Sequence, residues 1–259
     1  MFSHLYPNFH KGRILKREML ENLRDYPRHF VDLYFQDYTD GIISGVDESI
    51  GEGYLTVGKG IVKHQGRVYL FDREERVPYE ATGMETVLKI RFHEETSLTD
   101  YYVYETSYVL DQEIESRQDE RELGRFKLKQ GARLRGDYQD LADMATEFNT
   151  WNIVHVEHAG RNEPTLAPFI LQYFANEMLK TVTNHPYDLA FAMQCLNADR
   201  VERGLILHYI GNRLGTGYRE YTNLQILKYL ARILDDAKSG GKSSKTEWKT
   251  GGRQRVIVD

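Results

Sequence analysis

Apolar positions change their spacing along the chain, and the change divides it. Ile14, Leu15, Met19, Leu20 and Leu23 recur at helical spacing. They predict a short amphipathic helix ending near Asp25-Tyr26-Pro27, because the residue before a proline is pushed out of helical backbone. His29 to Tyr38 mixes apolar and acidic residues and reads as helix or strand. From Asp40 the pattern shortens. Ile42-Ile43-Ser44, Tyr54-Leu55-Thr56-Val57, Ile61-Val62-Lys63 and Arg67-Val68-Tyr69-Leu70-Phe71 are separated by glycines at 45, 51, 53, 58, 60 and 66. Runs of β-branched and aromatic residues between glycine turns predict a β-meander. Lys63-His64-Gln65-Gly66-Arg67 predicts a tight hairpin turn, with Gly66 in a conformation other residues resist.

Further strands are expected over Glu85–Phe92 and over Tyr101–Leu110. A hairpin is expected to pair Arg125–Lys129 with Ala132–Arg135 across Gln130-Gly131, one face apolar and one charged. Beyond it the period becomes helical. Leu141, Met144, Ala145 and Phe148 predict a helix over Gln139–Phe148, and Asn149–Glu163 reads as a polar loop. An apolar helix starts at Pro164 or Pro168 and runs to Leu179 through Phe169, Ile170, Tyr173, Phe174 and Met178. A third starts at Pro186-Tyr187-Asp188, a fourth spans Glu202–Asn212, and Asn223–Ala237 carries the cleanest stripe. The expected fold is α+β. An antiparallel β-rich domain covers residues 1–136 and a helical bundle covers 137–238. A basic tail, 239–259, has the Gly, Ser, Thr and Lys composition of a flexible segment. In it Arg255-Val256-Ile257-Val258 has the makings of a short strand.

Composition narrows the function. The chain has 259 residues, 41% of them apolar, with 18 Tyr and 11 Phe. Amphipathic rings in that number suit sheets and interfaces, because a tyrosine can bury its ring and keep its hydroxyl partnered. The net charge of -5 argues against nucleic acid as a direct partner. Lys238 to Asp259 holds six basic and two acidic side chains, a basic end on an acidic body. The lone cysteine, Cys195, rules out an intrachain disulfide and sits in an apolar helical stretch, where it is expected in the core. The first residues lack the pattern of a signal peptide, and no run is long and apolar enough to span a membrane, so a soluble protein is expected.

Candidate chemistry is sparse. Gly240-Gly241-Lys242-Ser243 lacks the earlier glycine of a phosphate loop, since Asp236 stands there, and it follows a helix instead of opening one. His155 and His158 have the spacing of two metal ligands on a helix, but zinc needs at least one more ligand that nothing fixes. Tyr101, Tyr102, Tyr104 and Tyr108 lie along one expected strand, where the last three share a face. No catalytic, cofactor-binding or metal-ligating set is assigned.

The stretch from Asp40-Gly41-Ile42-Ile43-Ser44-Gly45-Val46 through Tyr54-Leu55-Thr56-Val57-Gly58-Lys59-Gly60-Ile61-Val62 to Gly66-Arg67-Val68-Tyr69 resembles the N-terminal attachment regions of contractile-phage tail and baseplate proteins. Lys59 departs from that pattern, which usually has proline before the glycine. The order of β module and helices is similar to the baseplate adaptor of bacterial type VI secretion. The resemblance implies a structural assembly subunit with no catalytic role, assembled in the cytoplasm into a phage-like particle. It also implies baseplate or tail-fibre proteins as partners, attachment through the β domain, and homo-oligomerisation through the helices. Leu55, Val57, Ile61 and Tyr69 around the glycine turns, and Phe169, Tyr173 and Phe174 on the helix, are the candidate contact residues. A carbohydrate- or protein-binding module and a hydrolase with a site between the two domains are the alternatives.

Overall fold

The computed structural model describes residues 4–183 and 185–239. The fold is α+β, with antiparallel sheets in the N-terminal part and helices after them. The expected short helix and the segment after it form one helix, α1 (Arg17–Tyr34), which continues through Pro27. The expected stop at Pro27 is therefore overturned. A proline removes one backbone donor, and the Leu23 carbonyl it leaves unbonded lies on an exposed helix where water can reach it.

Eleven strands follow among the described residues: β1 (Gly41–Gly45), β2 (Glu48–Ile50), β3 (Tyr54–Val57), β4 (Gly60–His64), β5 (Arg67–Phe71), β6 (Glu75–Pro78), β7 (Glu85–Phe92), β8 (Thr96–Ser97), β9 (Tyr102–Val103), β10 (Thr106–Asp111) and β11 (Glu120–Lys127). They pair as β1-β4-β5, β2-β3-β6, β10-β7-β11 and β8-β9. All these pairings are antiparallel. The β4–β5 hairpin turns at Gln65 and Gly66, both with positive φ, as the turn chemistry requires.

The glycines of the Asp40–Gly66 stretch serve close packing. Gly45 pairs with Gly60, and a Cβ on Gly45 would lie 2.2 Å from the Lys59 carbonyl oxygen. Gly41, at φ +135°, would place a Cβ 2.7 Å from the Glu157 carbonyl oxygen. These glycines let β1 lie against β4 on one side and against the later segment 157–159 on the other.

Two expected strands differ. The Tyr101–Leu110 run breaks after Val103, because β9 pairs with β8 while β10 changes partner to β7. The tyrosines therefore do not share a face. Tyr101 and Tyr102 are exposed, Tyr104 lies under the Arg67 guanidinium, and Tyr108 packs toward the β core. The Ala132–Arg135 half of the expected hairpin forms no strand. The turn exists, with the Ala132 amide donating to the Lys129 carbonyl, but Arg135 finds its backbone partners at Asn149 and Trp151. The hydrogen bonds of this stretch go to the chain that returns beside it.

The expected helix over Gln139–Phe148 is reduced to a single 3-10 turn, Asp143–Ala145. Asp140 accepts from the Asp143 amide and Asp143 from the Gln139 amide, local bonds that compete with a helix. Leu141 and Met144 are still buried. The helices are α2 (Pro168–Leu179), α3 (Pro186–Asn197), α4 (Arg203–Leu214) and α5 (Asn223–Lys238). Thr222 and Gln225 close a capping box on α5, and Gly215 ends α4 in left-handed backbone. Helix α5 ends at Lys238, with Ser239 as its C-cap. The strand expected at Arg255–Val258 and the Gly240–Ser243 motif lie outside the described residues.

The apolar interior forms two clusters. One gathers Ile42, Leu55, Val62, Leu88, Phe126 and Trp151; the other gathers Leu141, Val154, Ile170, Phe174, Phe191 and Leu230. The segment 149–167 links them. Trp151 and Val156 enter the β cluster, Val154 and Leu166 enter the helical one, and Ile153 packs against both. It forms no helix or named strand, in keeping with the expected loop, but its apolar residues are divided between the two cores.

Candidate functional site

Helix α1 turns a row of apolar side chains to solvent. None of its residues is buried, and Leu20, Leu23, Tyr26, Phe30, Leu33 and Tyr34 are each about half exposed or more. Ordinary amphipathic helices turn that stripe to their own core. This one is held mainly at its C-terminal end. Lys63, buried on β4, donates from Nζ to the carbonyl oxygens of Phe35 (2.7 Å), Gln36 (3.1 Å) and Tyr38 (2.6 Å). The cation gathers carbonyls of the chain just beyond the helix end, and it complements the helix dipole. Phe35 in turn packs edge-on against Tyr34 and Tyr38. The N-terminal segment touches the helix through His4, whose ring meets Tyr26 edge-on.

A cleft of about 830 Å³ opens where the β module meets α2, lined by β2 with Arg133–Tyr138, Trp151, Ile153 and Phe169. Glu48 stands in it. Burial pushes its carboxyl up to about 8, against the pull of its own backbone amide and with the charge of Asp47 adding to the rise. At neutral pH this group is mostly protonated. Trp151 is buried, its indole N–H lacks a partner at hydrogen-bonding distance, and its ring lies on Gly124, where a Cβ would come within 2.3 Å. Arg135 is engaged by Asp143, with both guanidinium nitrogens on the two carboxylate oxygens at 2.7 and 2.6 Å. The Tyr138 hydroxyl donates to the Trp151 carbonyl at 2.6 Å.

The residues expected to make contacts fall into two sets. Leu55 and Val57 on β3, and Phe174 on α2, have no exposed surface and belong to the two cores. Their side chains are out of a partner's reach in the folded chain. Ile61 and Tyr69 are half-buried, with Tyr69 edge-on to Phe92. Tyr173 is half-buried, its hydroxyl on the Gln139 carbonyl. Phe169 alone among them is largely exposed, at the lip of the cleft beside Tyr138. Sequence reading passed over α1 as a surface because its stripe looked like a normal core-facing one.

His155 and His158 lie on the linking segment, not on a helix, and face different depressions. Burial lowers both, that of His158 to about 4 with Arg200 adding to the effect. His155 shares a shallow depression with Glu157 and Glu163. Among the described residues no three His, Cys, Asp or Glu side chains form a cluster able to hold a metal ion. Among them, too, no helix is long and apolar enough to cross a membrane. Comparison with protein-family models, with curated proteins and with solved structures found no match.

Proposed function

We propose that this chain is a structural assembly subunit of a phage-tail-like particle, acting through docking surfaces and without catalysis of its own. The observation that carries the assembly reading is α1, an 18-residue helix that exposes Leu20, Leu23, Tyr26, Phe30, Leu33 and Tyr34 while Lys63 holds its end. Contiguous apolar surface of this extent on a soluble chain marks an interaction site. The particle class rests on the resemblance of the glycine-punctuated Asp40–Tyr69 stretch to phage-tail attachment regions, which implies baseplate or tail-fibre proteins as partners.

The test is sedimentation of the full chain in lysate of the cells that make it. The reading expects the chain to travel with particles of high mass, and a Leu23→Glu variant to be depleted from them. A chain found wholly in the slow, soluble fraction under all conditions of expression overturns it.

A further inference from the structure

We infer that α1 is a self-assembly helix whose apolar face packs against the same face of further copies of this chain. This deepens the assembly reading, on which it rests, by naming the partner of that surface.

The first support is periodicity. Leu20, Leu23, Pro27, Phe30 and Tyr34 follow one another in steps of three, four, three and four. Held over two heptads, that alternation puts these side chains on one face, as in an amphipathic helix or a coiled-coil seam, where each could enter a hole on a neighbouring helix. Met19, Tyr26 and Leu33 widen the seam along one flank. Three apolar positions in every seven make a broader face than a two-stranded seam uses, and they suit a bundle of more helices. Pro27 fits within the seam because the helix continues through it.

The second support is area. Six side chains, three of them aromatic, are half exposed or more along this face. At the sizes such residues bury, they offer roughly 600–700 Å² per copy, close to the ~800 Å² per partner of a standard stable interface. The third is charge. The helix carries three arginines against four carboxylates, so identical copies bring almost no net repulsion. Arg17 pairs with Glu21 at 2.7 Å and Arg28 approaches Asp32 at 4.0 Å, both off the seam. The polar faces are thus matched within each copy, and the apolar faces are what remain to be matched between copies.

The experiment is the absolute mass of the purified full chain by light scattering over a concentration series. It compares wild type, the double variant Leu23→Glu/Phe30→Glu, and Phe169→Glu on the exposed edge of α2. All three replaced side chains are exposed, and unchanged circular-dichroism melts would show that the folds are intact. The inference expects a multimer for wild type and for Phe169→Glu, and a fall to the mass of one chain in the double variant. Wild type that is monomeric at every concentration overturns it, as does a multimer that keeps its mass in the double variant. A monomer that still sediments with particles through Leu23 removes self-pairing but leaves the assembly reading. A multimer that never joins a particle does the reverse.

Discussion

Lys63 lies on a β-strand, yet its ammonium group sits 2.7 Å from the carbonyl oxygen of Phe35, just past the end of a helix that buries none of its own residues. Replacing Lys63 by Met keeps the stem's volume and removes the charged donor. It leaves the Gln36 and Tyr38 carbonyls without that donor, while the Phe35 carbonyl keeps the Tyr38 amide. The expected cost is about 1–3 kcal/mol. Amide exchange over residues 31–38 should quicken more than exchange in β7, because the clamp joins α1 to the body and the core strand does not depend on it.

Gly124 and Trp151 make a second tight contact. A Cβ at position 124 would fall 2.3 Å from the indole, inside any van der Waals distance. Gly124→Ala is expected to destabilise the chain by about 1–3 kcal/mol, as overpacking does in a well-filled core. Urea unfolding with Trp fluorescence as the probe would read both the loss and any shift of the indole.

Glu48 makes stability fall as pH rises. Its carboxyl is pushed up to about 8, mainly by burial, against an ordinary value near 4.5. Between these two values the folded protein keeps a proton that the unfolded chain has released. Stability therefore declines from about pH 4.5 to about pH 8, at up to about 1.4 kcal/mol per pH unit, and then levels. Glu48→Gln should flatten that slope and raise the melting temperature at pH 8, in thermal melts recorded from pH 5 to pH 8.5.

Glu120 acts at the acid end. Its side chain is buried between Lys89, at 3.1 Å, and Arg91, at 2.6 Å. Burial opposes its charge, but hydrogen bonds from Arg91, the Arg117 amide and Lys89 outweigh that and hold it at about 2. This stabilisation is complete above about pH 4.5 and is lost as pH falls toward 2. Glu120→Gln leaves the buried ammonium of Lys89 with only the more distant carboxylate of Asp111, at 3.8 Å, and should cost about 1–3 kcal/mol at neutral pH. Acid titration of the variant by circular dichroism should show a shallower transition than wild type.

Cys195 should be inert while the chain is folded. It is buried in the helical core, and burial pushes its thiol up to about 12. The thiolate that reacts with alkylating agents is then scarce, and access is blocked as well. Iodoacetamide at pH 8 should leave the native protein unlabelled by mass spectrometry, and label one site per chain in denaturant.

Much of this was set by the sequence alone. The α+β order followed from the shift between short glycine-bounded runs and helical stripes, because strand and helix place side chains on a face with different periods. The hairpin at Gln65-Gly66, the capped start of α5 at Thr222 and the burial of Cys195 were local or compositional matters of the same kind. What the tertiary structure decided was the partner of each element. Pro27 did not end α1, because an exposed helix can hydrate the carbonyl that proline strands. Tyr101–Leu110 broke into two strands, because its halves pair with different neighbours. Asn149–Glu163 is polar in sequence, but it carries Trp151 to one core and Val154 to the other. The segment turns at residues 154 and 155, so its apolar side chains follow no single period. The same limit applied to the surface. A stripe of apolar residues on a helix announces burial, but only the packing of the rest of the chain reveals that α1 has nothing of its own to cover. For that reason Leu55, Val57 and Phe174 belong to the interior, and Leu20, Leu23 and Phe30 face outward.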